Sequence, residues 1–239
     1  MESNFNENMK KLMNEIGVDI TDIQVSKFYD YMNLLLEWNE KINLTAITKP
    51  DEIILKHFVD CLTIQKYIEK DMSIVDIGTG AGFPGIPLAI MNDRCKFVLV
   101  DSLNKRINFL NDVKEKLGLK NVEAIHSRAE EFGQNKLYRE KFDFAVSRAV
   151  ANLSVLAEYL LPAVKVCGKV ICMKGSQIEE ELNEAGFALK ELGGIVKLRE
   201  EFCLPGTDMK RNVIVIEKVR NTPKRYPRKS GTPAKQPLR

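Results

Sequence analysis

The clearest indication of the fold is the segment Ile74-Val-Asp-Ile-Gly-Thr-Gly-Ala-Gly-Phe-Pro-Gly-Ile-Pro-Leu-Ala89. It predicts a short buried strand, a glycine-rich turn and then a helix. The glycines of the turn are Gly78, Gly80, Gly82 and Gly85. Because glycine lacks a Cβ, such a turn brings bare backbone close to a ligand. The alternative is a plain tight turn, which four glycines directly after an Ile/Val strand disfavour.

The spacing of the turn separates it from the dinucleotide-binding fingerprint. It reads Asp76-x-Gly78-x-Gly80-x-Gly82, whereas the dehydrogenase turn reads G-x-G-x-x-G. The pattern resembles the first motif of the Rossmann-like methyltransferases that use S-adenosylmethionine (SAM). This resemblance implies SAM as the cofactor, bound along the glycines.

Strand and helix patterns alternate from Ser73 onward. Strands are predicted at 74–77, 97–100, 122–125, 142–146 and 170–173. Helices are predicted after the glycine turn, after Asp101, at 153–161 and at 177–187. Two last strands, 195–202 and 212–217, are predicted to form a closing hairpin. Alternation of this kind predicts an α/β fold with a mostly parallel seven-stranded sheet and an antiparallel edge hairpin.

The first seventy residues are predicted to be helical. Thr21 and Gln24 form the pattern of a capping box, and the helix that follows is expected to reach about Lys41. A second helix is expected to include 53–68. The chain is thereby divided into a helical extension (1–70), the α/β core (71–219) and a basic, proline-rich tail (220–239) expected to be extended.

Composition places the chain among ordinary globular proteins. It has 239 residues, of which 44% are hydrophobic and 29% charged. No apolar run approaches the roughly 20 residues that span a bilayer, and the first ten residues do not resemble a signal peptide, so we expect a cytoplasmic protein. Five scattered cysteines and two histidines predict free thiols and no metal site.

The net charge of +3 is unevenly distributed. After Glu217 the chain has eight basic residues and no acidic one, so the rest of the chain carries −5. A basic tail on a mildly acidic body indicates a polyanionic partner that is contacted through its phosphates. The alternative is a solvated terminus that serves only solubility.

Candidate cofactor contacts lie where strands end, because open α/β sheets bind ligands at that edge. Asp101 follows the second strand, and its carboxylate suits two ribose hydroxyls; the alternative is a helix cap, for which Ser102 is better placed. Asp76 is expected to hold the turn or to lie near the methionine ammonium. Ala129 and Glu130 are placed to read an adenine ring, or simply to start a helix.

Candidate substrate contacts are basic. Arg148 and Lys174 end the fourth and fifth strands and are expected to meet phosphate or the SAM carboxylate, or to form surface salt bridges. His57 is either part of a substrate surface or a structural histidine. Arg225 and Arg228 belong to the tail, which we interpret as an RNA-affinity element whose removal leaves SAM affinity unchanged.

No residue pattern supplies an obvious base or nucleophile. The chain has neither an Asn/Asp-Pro-Pro-aromatic element, which amino methylation of bases commonly uses, nor the Pro-Cys pair of many cytosine C5 enzymes. Guanine N7 has an in-plane lone pair and no proton, so its methylation requires only alignment and charge neutralisation. The pattern is compatible with N7 transfer and does not prove it.

Several segments together resemble the RsmG (GidB) family of bacterial small-subunit rRNA methyltransferases. They are Trp38-Asn-Glu-Lys-Ile-Asn-Leu-Thr45, His57-Phe-Val-Asp60, the glycine turn, Asp101-Ser102 with Lys105-Arg106, Ser127-Arg-Ala-Glu130, Ser147-Arg-Ala149 and Tyr226-Pro-Arg-Lys-Ser-Gly-Thr-Pro-Ala-Lys-Gln-Pro-Leu238. The resemblance implies SAM-dependent N7 methylation of a guanine in the 530 loop of 16S rRNA. It also implies cofactor contacts at Gly78, Phe83, Ala129, Glu130 and Arg148.

The expected partner is 16S rRNA or the small-subunit particle, with the protein acting as a monomer and without a membrane or a metal. Two alternatives remain from the sequence. One is a SAM-dependent methyltransferase of a small molecule or protein. The other is a catalytically silent rRNA-binding assembly factor, which the intact glycine turn and Asp101 disfavour. A dehydrogenase is disfavoured by the glycine spacing.

Overall fold

A seven-stranded sheet forms the centre of the molecule in the computed structural model, which describes residues 2–148, 151–176 and 178–239. The strands are β1 (Ser73–Ile77), β2 (Lys96–Asp101), β3 (Val122–His126), β4 (Phe142–Arg148), β5 (Val164–Lys174), β6 (Gly194–Cys203) and β7 (Lys210–Lys218). Their order is β3-β2-β1-β4-β5-β7-β6. Strands β1 to β5 pair in parallel, while β7 is antiparallel to both β5 and β6. The predicted fold class is confirmed.

Helices cover both faces of this sheet. They are α1 (Glu2–Glu15), α2 (Asp22–Ile42), α3 (Pro50–Ile53), α4 (Asp60–Leu62), α5 (Gly85–Met91), α6 (Asn104–Lys116), α7 (Ala129–Gln134), α8 (Leu153–Leu160), α9 (Glu179–Glu184), α10 (Gly186–Leu192) and α11 (Thr232–Lys235). One apolar core joins α1, α2, α5 and α6 to the sheet, and the other joins α8 and α10 to its opposite face. Both faces of the parallel strands are thus buried, as their continuous apolar runs require.

The N-terminal helices pack directly on the glycine turn. The capping box of α2 is present: the Gln24 amide donates to Thr21 Oγ1 at 3.3 Å, and the Thr21 amide donates to Gln24 Oε1 at 2.9 Å. The fully buried Tyr31 donates its hydroxyl proton to the carbonyl of Ala81. The N-terminal segment therefore supports the turn from behind.

The second predicted helix is broken in the structure. Residues 50–62 pass from α3 through a π-helical segment, Ile54–Val59, into α4, and a 3₁₀ turn, Gln65–Tyr67, follows. In the widened π turn the carbonyl of Lys56 accepts a hydrogen bond from Nη1 of Arg148 at 3.0 Å. The side chain that ends β4 is thus bonded to the backbone of the π-helical segment, a long-range contact that periodicity alone does not predict.

Other boundaries also differ from the predictions. The helix predicted at 177–187 is divided into α9 and α10, with Gln177 outside the described residues. Strand β5 is longer than predicted and begins at Val164. Of the five cysteines, Cys167 and Cys203 are exposed and three are buried. No helix within the described ranges has the length and apolarity to cross a membrane.

The tail, predicted to be extended, is docked on the core. Thr222 and Tyr226 are buried, and the guanidinium of Arg139 donates to the backbone carbonyls of residues 222, 223 and 226 at 2.7–3.2 Å. Proline removes backbone donors but leaves the carbonyls, and a single guanidinium satisfies several of them. The Pro-rich segment therefore folds onto the core and ends in the short helix α11.

Candidate active site

A cavity of about 870 Å³ opens at the carboxyl ends of the strands, where the strand order reverses between the neighbouring strands β1 and β4. Ligands bind at this switch point in open α/β sheets. One side of the cavity, here called the glycine-loop half, is lined by Gly78, Gly80, Asp101, Ala129 and Glu130. The other, the arginine half, is lined by Lys56, His57, Asp60, Arg148 and Arg211. Residues predicted to contact the cofactor and residues predicted to face the substrate, His57 and Arg148 among them, thus line the same cavity.

Asp76 holds the glycine turn from beneath and does not line the cavity. Its Oδ2 accepts hydrogen bonds from the Gly85 amide at 2.9 Å and from Thr79 Oγ1 at 2.7 Å. The Oδ1 atom is buried and has no hydrogen-bond partner among the described residues. Burial raises the pKa of Asp76 to about 7. Of the two roles that the sequence left open, this geometry favours the structural one.

Gly80 and Gly82 have different structural roles in the turn. At Gly80, φ is +61°, and within the described chain no heavy atom lies within 4 Å of where a Cβ would stand. At Gly82, φ is +94°, and a Cβ would lie 2.6 Å from Cγ1 of Ile86. Gly80 therefore presents bare backbone to the cavity, while Gly82, which does not line it, allows the turn to pack on the core.

Asp101 links the turn to the start of α6. Its Oδ2 accepts from the Gly80 amide at 3.0 Å and from Arg106 at 3.2 Å, and its Oδ1 accepts from the Leu103 amide at 2.9 Å. Helix α6 begins at Asn104, and its N-cap residue Leu103 provides no side-chain capping hydrogen bond, so neither Asp101 nor Ser102 caps the helix. Ser102 lies in the cavity wall. A second lone pair on Oδ1 remains for a ligand hydroxyl.

Glu130 forms the far end of the glycine-loop half. It lies in the first turn of α7, is only 6% exposed and lines the cavity beside Ala129. Its Oε1 accepts a hydrogen bond from the amide of Gly231 at 2.7 Å. The carboxylate is therefore held in place by the tail, a contact that the sequence did not predict.

Arg148 is the central cation of the arginine half. Its Nη1 donates to Asp60 Oδ2 at 3.1 Å, and its Nη2 donates to Nδ1 of His57 at 3.0 Å. The guanidinium carbon lies 4.8 Å from the centre of the Phe83 ring. Arg148 therefore ties β4 to the N-terminal helices and to the glycine turn at once.

His57 is buried in the cavity wall and is neutral. Its ring stacks on Phe83 with centroids 4.4 Å apart, and its Nε2 lies 2.9 Å from Thr45 Oγ1. Burial and then the charge of Arg148 lower the pKa of His57 to about 3. Because a guanidinium only donates, Nδ1 is the accepting nitrogen and the proton resides on Nε2. The lone pair of His57 is consequently already occupied.

Asp60 and Arg211 were not assigned a role from the sequence. Asp60 is 4% exposed and bridges two guanidinium groups, accepting from Arg148 and, at 3.0 Å, from Nε of Arg211. Arg211 lies 151 positions further along the chain, on β7. The His57-Phe-Val-Asp60 segment was the available signal, but nothing in the sequence indicates these long-range partners.

Like Arg148, the other three predicted substrate-facing cations are paired with carboxylates. Lys174 contacts Glu181 Oε2 at 2.6 Å, and Arg228 contacts Oε2 of the buried Glu158 at 2.7 Å. Arg225 is paired with Glu191 on the surface. Lys174 thus forms the salt bridge that the sequence left open as its alternative, while the substrate-facing role of Arg225 and Arg228 stays a prediction.

The strand order, the closing antiparallel pair and the glycine turn at the switch point define the fold of Rossmann-like SAM-dependent methyltransferases. A SAM-dependent methyltransferase from Aquifex aeolicus superposes with a TM-score of 0.55 at 21% identity, covering 72% of this chain and 94% of that one. The ribosomal protein L11 methylase of Lactobacillus delbrueckii subsp. bulgaricus gives a TM-score of 0.53 at 15% identity, covering 69% and 79%. At these identities the likeness establishes the fold alone.

Sequence relatives are much closer. The family model described as GidB, rRNA small subunit methyltransferase G, matches residues 24–206. Proteins named ribosomal RNA small subunit methyltransferase G are 51% identical over 233 residues in Clostridium perfringens (strain 13 / Type A), covering 97% of this chain and 98% of that protein, and 52% identical over 235 residues in Acetivibrio thermocellus, covering 96% and 97%. The chain belongs to the GidB family, and the predicted resemblance is confirmed. Ala149 of the resembling segments lies outside the described residues.

Proposed function

We propose that this protein transfers the methyl group of SAM to N7 of a guanine in the 530 loop of 16S rRNA. The observation that carries the proposal is a single cavity, lined by bare glycine backbone on one side and by arginines on the other, in a chain that belongs to the GidB family over most of its length. The N7 position is implied by the family resemblance, and the chemistry of the arginine half is compatible with it.

The glycine-loop half fits SAM. The space beside Gly80 has room for a ligand against bare backbone, and Asp101 and Glu130 each keep acceptor capacity in the cavity wall. We assign Gly78, Gly80 and Phe83 to the methionine side, Asp101 with Ser102 to the ribose, and Ala129 with Glu130 to the adenine. Asp76 and Gly82 shape the turn from behind. When bound, SAM supplies an electrophilic methyl group on its sulfonium.

The arginine half is suited to an acceptor that needs no base. The lone pair on Nδ1 of His57 is occupied by Arg148, and both carboxylate oxygens of Asp60 accept from guanidinium groups. A nitrogen that must lose a proton would have neither group available. Guanine N7 has a free lone pair and no proton, so alignment in the cavity is sufficient. His57 and Arg148 therefore act by shaping the acceptor wall.

The RNA backbone is proposed to meet the exposed cations around the cavity mouth. Arg128 is exposed and lines the cavity, as does Lys56, which is half-buried and paired with Glu52. The side chains of Lys224, Lys229 and Lys235 are exposed along the tail. Cations of this kind neutralise phosphates and give salt-dependent affinity without reading bases. Arg225, although paired with Glu191, is exposed and adds to the same surface.

We further propose that the protein acts as a monomer in the cytoplasm, where its substrate, 16S rRNA or the small-subunit particle, is assembled. Labelled methyl transfer from SAM to purified small-subunit particles, naked 16S rRNA and ribosomal proteins tests the substrate class. We expect label in the rRNA, with transfer decreasing steeply as salt rises. Label in protein, or a rate independent of salt, would favour another substrate class.

A further inference from the structure

We propose that the C-terminal tail is part of the cofactor site: residues 231–234 form the outer wall of the cavity at Glu130, and the Arg228–Glu158 pair positions that wall. This inference rests on the proposed SAM site. It reverses our sequence-based expectation that the tail serves RNA affinity alone.

The wall contacts the cavity directly. Gly231 and Ala234 line the same cavity as Gly78 and Asp101. The Gly231 amide donates to Oε1 of Glu130 at 2.7 Å. The Tyr159 hydroxyl also bonds this carboxylate, whose two oxygens together keep lone pairs for a further donor. Since we assign Glu130 to the adenine end, the tail both orients an adenine-reading carboxylate and covers it from solvent.

A buried ion pair anchors the tail three residues before the wall. Arg228 donates to both carboxylate oxygens of Glu158, from Nε at 2.9 and 3.2 Å and from Nη2 at 2.7 Å, and its amide donates to Oε1 at 2.8 Å. Glu158 has no exposed surface. A buried carboxylate left without a partner is costly, so this pairing strongly favours the docked tail.

The same tail is fastened to the helix that carries Ala129 and Glu130. Gln134 of α7 donates to the carbonyl of Pro227 at 2.8 Å. At Gly133 a Cβ would lie only 2.7 Å from Cγ of Pro227, so the ring of Pro227 seats where a side chain is missing. Arg139, just beyond α7, binds the carbonyls of Gly133 and Tyr226 at 2.9 and 2.7 Å. The tail is therefore docked by specific contacts beside the adenine end.

The test compares two altered chains with the full chain by calorimetric titration. Ending the chain after Lys229 removes the wall and leaves Arg228 in place. The matched control, Lys224→Gln with Lys229→Gln and Lys235→Gln, removes exposed charge from the tail and leaves the wall. We expect truncation to raise Kd about tenfold or more both for SAM and for 5′-methylthioadenosine, which keeps the adenine end, and the control to stay within about twofold.

Hydrogen exchange on the unaltered chain gives a readout that does not depend on a variant folding. SAM should protect the amides of residues 229–236 from exchange. Unchanged exchange there, or a folded truncated chain that binds SAM as tightly as the full chain, would overturn the inference. Absence of SAM binding by the full chain itself would instead contradict the proposed function.

Discussion

The guanidinium of Arg148 donates to Nδ1 of His57 at 3.0 Å, joining the end of β4 to the π turn of the N-terminal helices. The contact fixes the histidine tautomer and places a neutral ring against Phe83. The helical extension is thus built into the cavity wall, and the predictions that follow test this wall and the glycine turn opposite it.

Protonation of His57 should destabilise the fold at acid pH. Its native pKa is about 3 against an ordinary 6.5, because burial and Arg148 disfavour the charged ring. The contribution of the neutral ring to the free energy of unfolding is complete above about pH 6.5. It decreases by up to about 1.4 kcal/mol per pH unit as the pH falls toward 3. Urea unfolding of the wild type and of His57→Gln across this range measures it. The wild type should lose stability relative to the variant as the pH falls; a constant difference would contradict the assignment.

Asp76 should show the opposite dependence on pH. Burial raises the pKa of Asp76 to about 7 in the folded chain, from an ordinary value of 3.8. Between these two pH values the folded chain keeps the carboxyl proton, whereas the unfolded chain has released it. Protonation of Asp76 favours the fold at low pH, and this advantage is lost as pH rises toward about 7. Relative to the wild type, Asp76→Asn should therefore gain in unfolding free energy between about pH 4 and 7. An equal difference in unfolding free energy between variant and wild type at about pH 4 and about pH 7 would refute the raised pKa of Asp76.

Two glycine substitutions should separate binding from folding. Gly80→Val places a branched side chain in open cavity space, so SAM binding should be abolished, while the cost to the fold is mainly the αL strain of about 1–2 kcal/mol. Gly82→Val meets Ile86 and Tyr31 at once and should lower the melting temperature further. Calorimetry and thermal unfolding measure the two effects. Retained SAM affinity in Gly80→Val would show that SAM does not bind at the glycine turn.

Asp101→Ala should weaken SAM binding by roughly 1–3 kcal/mol, because ribose hydroxyls lose their charged acceptor. Arg106→Ala is its matched control, since it removes only the guanidinium that occupies Oδ2. The control should bind SAM as well as, or better than, the wild type. A loss confined to RNA binding in Asp101→Ala would reassign this residue.

Charge along the tail should govern RNA affinity and leave cofactor affinity unchanged. The variant with Lys224→Gln, Lys229→Gln and Lys235→Gln removes three exposed charges. We expect a higher KM for the rRNA substrate and a shallower dependence of binding on salt, because fewer counterions are released. Filter binding at several salt concentrations measures the slope. An unchanged slope of RNA binding against salt concentration would show that these tail lysines are not part of the RNA-binding surface.

Local chemistry made much of the fold predictable. The apolar run before Gly78, the glycine spacing and the carboxylate at Asp101 each act over a few residues, so they specify the strand, the turn and the strand-end acceptor. The capping box at Thr21 is equally local. Such features are visible in sequence because backbone geometry and side-chain chemistry are settled within one or two turns.

Long-range pairing was not predictable from the sequence. Glu158 and Arg228 lie 70 positions apart, and Asp60 and Arg211 lie 151 apart. Their charges resemble ordinary solvated charges until the fold buries them together. The proline-rich composition of the tail indicated an extended segment, whereas its carbonyls are satisfied by Arg139, a residue without any local signature.

The most direct test of the central claim is mass mapping of 16S rRNA after reaction of the purified protein with SAM and small-subunit particles that lack the modification. We expect one added methyl on a guanine of the 530 loop, with strand scission at that nucleotide after borohydride and aniline treatment, as N7 methylation requires. A methyl on another nucleotide or atom, or rRNA of unchanged mass beside an enzyme that binds SAM, would contradict it.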